Sequence, residues 1–368
     1  MAKKDKKAPD IASCRLNKVG GQAVLEGVMM KAGPRTVTTC RKENGELVVT
    51  DGSFVSVREK HKILNLPLIR GVVNFIEMMI LSFKTLNISA EAMELDDEKD
   101  KQRKENGKAS TTDIVMIIGA LLGLVLAGAL FIVLPGYVSE GISYLFSLAG
   151  VTVNATVKAI IEGIAKIVIF TTYLGLTSLM PEIKRTFMYH GAEHKSIACF
   201  EAGEELTPEN AMKHTRFHPR CGTSFMFFMI LIGIVVGIIL NNVLADWDRI
   251  YIILVRLALL PLVVGIGYEF IMFAGKHDNF IVRALSAPGL WVQRITTKEP
   301  TEDMLEVAIT SIKCALRDEF PEFREFYENR EWEKKDEGAE SDEDSASDAC
   351  KEQQCDDASL LNEDDNEA

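Results

Sequence analysis

Four of the six histidines in this chain fall between positions 190 and 218. They lie in Tyr189-His190-Gly191-Ala192-Glu193-His194-Lys195 and in His214-Thr215-Arg216-Phe217-His218-Pro219-Arg220-Cys221. Each pair is spaced i, i+4, which on a helix sets both imidazoles on one face, one turn apart. Two ligands from one element at that spacing suit a divalent metal ion, zinc above all. In His-x-x-Glu-His the carboxylate of Glu193 stands beside the second ligand, where it could take a proton from water that the ion polarises. Cys221 adds a soft donor three residues after His218. His190, His194, His214, His218 and Cys221 are therefore candidate metal ligands, and Glu193 is the candidate general base.

The elements that must position these groups can be read nearby. Pro181 suits a first helical position and Gly203 a stop, which predicts one helix over Pro181–Glu201. Thr207-Pro208-Glu209 reads as a cap, a first-turn proline and an acid, so a second helix starts near Pro208. His218 precedes a proline, which disfavours the α conformation there, so His214 and His218 need not share a helical face. Two interfacial histidines packed beside Tyr189 would explain a lone pair. Four histidines, a cysteine and a glutamate within one short stretch are more than packing needs.

That stretch is flanked by apolar segments. Ile114–Leu134 and Thr223–Ala245 contain no charged residue and exceed the roughly 20 residues that cross a bilayer. Spans are expected near 114–134, 157–180, 223–245 and 250–274, with the first ending at Pro135-Gly136. The 181–222 loop holds six basic residues, whereas 137–153 holds none and the last turn only Arg249. By the positive-inside rule both termini and the His loop face the cytoplasm of a multipass protein of the cell membrane. Glu269 would then lie at the cytosolic end of the fourth span, at the depth of the His loop. An ionisable group inside a span is a functional candidate by default. It is taken as a further metal ligand, or as a partner of Arg185 or Lys184. Arg256 and Glu162, both near the outer ends of their spans, read as a structural ion pair.

The remaining segments divide simply. Residues 1–14 form a basic head expected to be disordered, with no apolar stretch behind it that would make a cleavable signal. Residues 15–61 read as a small cytosolic β-rich unit. Within it Gly20-Gly21 reads as a tight turn, Asn44-Gly45 as a type I′ hairpin turn and Asp51-Gly52 as the next turn. The membrane domain covers 62–317. In it, 64–90 has its charges within roughly 80° of the helical wheel and suits a helix lying in the interface. Residues 94–108 read as a charged linker, and Gly289-Leu290-Trp291 as an interfacial turn. Residues 301–317 read as an amphipathic cytosolic helix, and 318–368 as an acidic disordered tail. The seven cysteines show no Cys-x-x-Cys pair and no even framework, which speaks against a disulfide scaffold. The net charge of −12 sits largely in the tail, and no basic stripe with aromatics points to nucleic acid.

Gly20-Gly21-Gln22-Ala23-Val24-Leu25-Glu26-Gly27-Val28-Met29-Met30, the Tyr189–Lys195 and His218–Ser224 motifs and Pro288-Gly289-Leu290-Trp291-Val292-Gln293 with Thr296–Pro300 occur here in order. With these the chain resembles the YqhQ-like family of uncharacterised bacterial membrane proteins over roughly residues 15–317. The resemblance implies a membrane-embedded protein of metal-dependent enzyme type, without a reaction.

Two functions are expected. The first is a metal-dependent hydrolase at the cytosolic membrane surface, acting on a lipid-linked or membrane-protein substrate. Its ion would be held by His190, His194 and one or two of His214, His218 and Glu269. The second is a membrane scaffold or assembly factor with a structural metal in its His/Cys loop. The fold class expected for both is an α-helical integral membrane protein of about four transmembrane helices.

Overall fold

The computed structural model describes residues 15–93, 111–274 and 280–320, Asn17 and Ala245 excepted. The basic head, the 94–108 linker and nearly all of the acidic tail lie outside the described residues. Asp318 and Glu319, expected in the tail, instead close the described fold through ion pairs to Arg35 and Lys18.

Four antiparallel strands, β1 (Val19–Val24), β2 (Gly27–Ala32), β3 (Arg35–Arg41) and β4 (Leu47–Ser53), form a meander in chain order. The turn expectations were partly wrong. Gly20-Gly21 lies inside β1, and Asp51-Gly52 inside β4. The tight turn falls at Leu25-Glu26, where Glu26 takes φ +48°. The hairpin between β3 and β4 forms as expected, but not as type I′. Among Lys42–Glu46 only Gly45 has positive φ, because the longer loop closes through Gly45 N–H to Lys42 O and Lys42 N–H to Glu46 O.

The helices follow as α1 (Ile69–Ala92), α2 (Thr111–Gly128), α3 (Leu134–Leu148), α4 (Ala155–Thr177), α5 (Pro181–Glu201), α6 (Pro208–Lys213), α7 (Gly222–Val243), α8 (Arg249–Ala258), α9 (Leu260–Ala274), α10 (Phe280–Thr296) and α11 (Glu302–Ala315). The chain is mostly helical. Among the described residues, four helices are long and apolar enough to cross a membrane: 69–92, 117–148, 155–177 and 222–243. Helices α8 and α9 qualify only together and are bent by 43°.

Three expected boundaries shift. The first apolar helix does not end at Pro135-Gly136. A π-helical turn at Ala129–Val133 joins α2 to α3, and this widened turn accommodates Pro135 within a continuous helix. The segment 64–90 becomes α1 and passes the length and apolarity test for a span. Gly289-Leu290-Trp291 is no turn but lies within α10, with Pro288 inside that helix. A Cβ on Gly289 would meet the Cβ and Oγ of Ser224 at 3.0 Å, so α10 lies close on the start of α7.

Two cores result. Phe170, Leu174, Phe227 and Val292 cluster where α4, α7 and α10 meet, and Gly163 lets α4 approach Ile234 of α7. The second core lies between the sheet and α5. Helix α11 fills it and is nearly all buried rather than one-sided, because β2 and β3 cover one face and α5 another. Ser311 ties it to the sheet by donating to Val28 O.

Candidate metal centre

Helix α5 forms over Pro181–Glu201 as expected, so His190 and His194 share a face, with ring centroids 4.4 Å apart. Cys221, at the N-cap of α7, meets them there, and its Sγ lies 3.2 Å from His190 Nε2. Ligand atoms of His190, His194 and Cys221 all lie within 4.8 Å of one another. Each imidazole is also oriented from behind. Nδ1 of His190 faces Thr296 O at 2.8 Å, and Nδ1 of His194 faces Arg216 O at 2.6 Å. A carbonyl only accepts, so both Nδ1 atoms carry the proton and both Nε2 lone pairs are free to bind a metal. Burial lowers the His194 pKa, keeping the ring in the neutral form that ligates. This donor set and its tautomers fit a zinc-type ion.

Glycine makes this approach possible. A Cβ on Gly191 would collide with the Lys298 carbonyl, so only glycine lets the 296–300 segment lie against α5. Lys298 N–H donates to Phe187 O at 2.8 Å and fixes that contact. The segment carrying Arg216 O is held by Lys195, whose buried ammonium donates to Met212 O and His214 O.

The other expected residues separate. The His218 ring lies 5.5 Å from that of His194, with its Nε2 turned toward Arg220 and Glu201. His214 is outside the main group: its Nε2 binds Glu204 at 3.1 Å, in a second group with Cys199. The extended backbone at His214 ends α6 and turns its ring toward the end of α5 instead.

Glu269 is also not brought to the histidines. Its carboxylate is bound by Arg70 and by the backbone N–H of Leu68, and Arg185 binds Glu26 instead. The cause is the close seating of α1 on α9, where a Cβ on Gly265 would meet Leu68 O at 2.8 Å. The pairing expected between Arg256 and Glu162 is present, reinforced by Lys166 and Asn241.

Glu193 is turned roughly 100° away from His194 around the helix and faces β1. A Cβ on Gly21 would lie 3.1 Å from Glu193 Cγ, so glycine makes room for this side chain. Its Oε2 is buried and without a hydrogen-bond partner. Burial pushes the carboxyl up to about 7, partly opposed by His190.

Several positioning residues escaped sequence reasoning. Gln293, fully buried, accepts from His218 N–H at 2.8 Å and donates to His218 O at 2.7 Å and Ser224 Oγ at 2.8 Å. Its sequence signal was its place at the end of the Pro288–Gln293 motif, which named the residue without giving it a partner. Glu26, from the strained β1–β2 turn, binds Arg185 and accepts from Tyr189 OH, which sets α5 against the sheet.

The profile of a family described as "Protein of unknown function (DUF1385)" matches residues 66–318. The chain is 34% identical over 310 residues to "Uncharacterized protein YqhQ" of Bacillus subtilis (strain 168), covering 82% of this chain and 92% of that protein. No solved structure gives a significant match. The motifs that make up the site fall largely within the matched stretch, and the chain belongs to the DUF1385 family.

Proposed function

We propose that this protein is a metal-dependent hydrolase seated at the cytosolic surface of a bilayer, with His190, His194 and Cys221 as the ligands of a zinc-type ion. The observation that carries the reading is the convergence of three ligand atoms within 4.8 Å, with both imidazoles held in the ligating tautomer. Three protein ligands leave one position for water or substrate, the pattern of catalytic rather than structural zinc. When bound, the ion would polarise water or a substrate oxygen. Glu193, whose buried carboxyl faces β1, would serve as the general base only after its side chain turns toward the ion.

The membrane part of the reading rests on apolarity and on chain parity. The sheet, α5 and α11 are one body, bound through Arg185–Glu26 and Ser311–Val28. An even number of crossings must therefore separate the sheet from α5, and α5 from α11. Crossings by 117–148, α4, α7 and the bent α8–α9 pair satisfy both conditions. The six basic residues of the 181–222 loop support a cytoplasmic side for the His/Cys group.

A structural metal in a scaffold protein is the second reading. Its support is His218, whose ring lies near enough to His194 to close the site as a fourth ligand after a rotamer change. Metal analysis of purified wild type, His190→Ala, His218→Ala and Glu193→Gln separates the two. The hydrolase reading expects about one equivalent of zinc in wild type, lost in His190→Ala and kept in the other two. Zinc lost in His218→Ala as well favours the closed site. Wild type without zinc after chelator-free purification would sink both.

A further inference from the structure

We infer that α1 does not cross the bilayer but lies in the cytosolic headgroup layer, and that it and the segment leading into it form a docking surface for anionic lipid. The inference rests on the membrane reading above and is independent of the metal. Helix α1 is apolar enough to span, yet parity forbids it. If 117–148 and α4 each cross once, a third crossing by α1 would part the sheet from α5, and these two are joined through Glu26, Arg185 and Tyr189.

Contacts along α1 agree. The sheet and the segment after it grip the helix through its middle. Ser82 donates to Gln22 of β1 at 2.6 Å, Thr85 accepts from the same side chain, and Glu77 accepts from Ser56 Oγ and Val57 N–H. One face, with Gly71, Glu77, Leu81, Thr85 and Ser89, is buried. The opposite stripe of Ile76, Met79, Ile80 and Phe83, at i, i+3, i+4 and i+7, is 45–61% exposed. An apolar stripe on a helix whose other face is fixed to α9 at its start and to the sheet through its middle fits an interface plane, where such a stripe dips below the headgroups.

The approach to the helix completes the surface. Ile63 and Leu66 are 72% and 51% exposed, and Lys60 and Lys62 beside them are exposed, as is Lys84 on the helix flank. Cations next to exposed apolar side chains complement an anionic leaflet. Each basic residue held at such a surface is worth about fivefold in binding.

The full-length chain tests both parts. A site-specific protease sequence is inserted after Gly107 in one variant and after Gly150 in a control, and cleavage is followed in inverted and right-side-out vesicles. The first site should be cut only from the cytoplasmic side and the control only from the outside. Cutting of the first site from outside would make α1 a span and overturn the inference. Loss of the protein from membranes on carbonate washing would instead remove the membrane reading beneath it. Headgroup-labelled phosphatidylglycerol and phosphatidylcholine are then titrated into wild type and Lys60→Ala/Lys62→Ala in neutral micelles. A phosphatidylglycerol preference that falls about 30-fold in the double variant, as two such residues imply, supports the surface. Equal binding of the two lipids by wild type, or a preference unchanged in the variant, refutes it. Self-association through the exposed stripe, lost in Ile80→Glu without change in lipid binding, would assign that stripe to a second copy and also refute it.

Discussion

Gln293→Ala isolates the positioning of the metal loop from the ligands themselves. The side chain makes three hydrogen bonds, two to the His218 backbone and one to Ser224 Oγ, and is fully buried. At about 1 kcal/mol net for each, truncation lowers the local opening free energy of residues 214–221 by about 3 kcal/mol. An opening equilibrium shifted by that amount speeds exchange of the His218 amide about 150-fold. Because Arg216 O and Cys221 lie on the same segment, zinc affinity should fall 10–100-fold, as for other residues that orient ligands. The assay is hydrogen exchange on peptides covering 212–224, paired with a competitive zinc titration. Gln293→Glu keeps the acceptor for His218 N–H but sets a carboxylate against His218 O, so it should not rescue. Exchange within threefold of wild type, with zinc affinity unchanged, would refute the clamp.

Further outcomes are expected from other sites. Gly191→Ala forces the Lys298 carbonyl away from α5 and with it Thr296 O, the acceptor behind His190. Overpacking of this kind costs about 1–3 kcal/mol, so thermal stability and zinc affinity should drop while helix content by circular dichroism stays. Glu193→Gln in chelator tests the buried carboxyl. Its pKa is raised from 4.5 to about 7 on folding, so the folded wild type binds the extra proton and loses stability as pH rises between those values. The variant should be more stable than wild type above pH 7 by about 3 kcal/mol and indistinguishable below pH 4.5, and parallel denaturant midpoints across that range would refute this. Glu162→Ala strands a partly buried Arg256 and should cost about 3–5 kcal/mol, read as thermal unfolding in detergent. Glu162→Leu/Arg256→Leu should recover most of that loss.

Elements whose residues obey a local rule were legible in the chain. Pro181 and Gly203 bounded α5, Thr207-Pro208-Glu209 started α6, and the i, i+4 spacing of His190 and His194 set both rings on one face. Apolar length marked the helices expected at 157–180 and 223–245, which form at 155–177 and 222–243, because a long apolar run is a local property of the chain. Pairing through space was another matter. Cys221 and His218 are equally plausible ligands by spacing, and packing brings Cys221 to the histidine pair, since Gln293 fixes the His218 backbone while Arg220 and Glu201 attract its ring. His214 was lost to Glu204 and Glu269 to Arg70, partners 10 and 199 residues away, and no periodicity records separations of that kind. Gly20-Gly21 read as a turn because a glycine pair is a local signal. The actual use of Gly21, admitting Glu193 beneath β1, exists only once α5 has docked on the sheet. The sequence by itself determined the kinds of group available and the helical face that presents the two histidines. Tertiary structure decided which third donor group lies beside them and which carboxylates already have a cationic partner, because those outcomes depend on burial and on competition among distant charges.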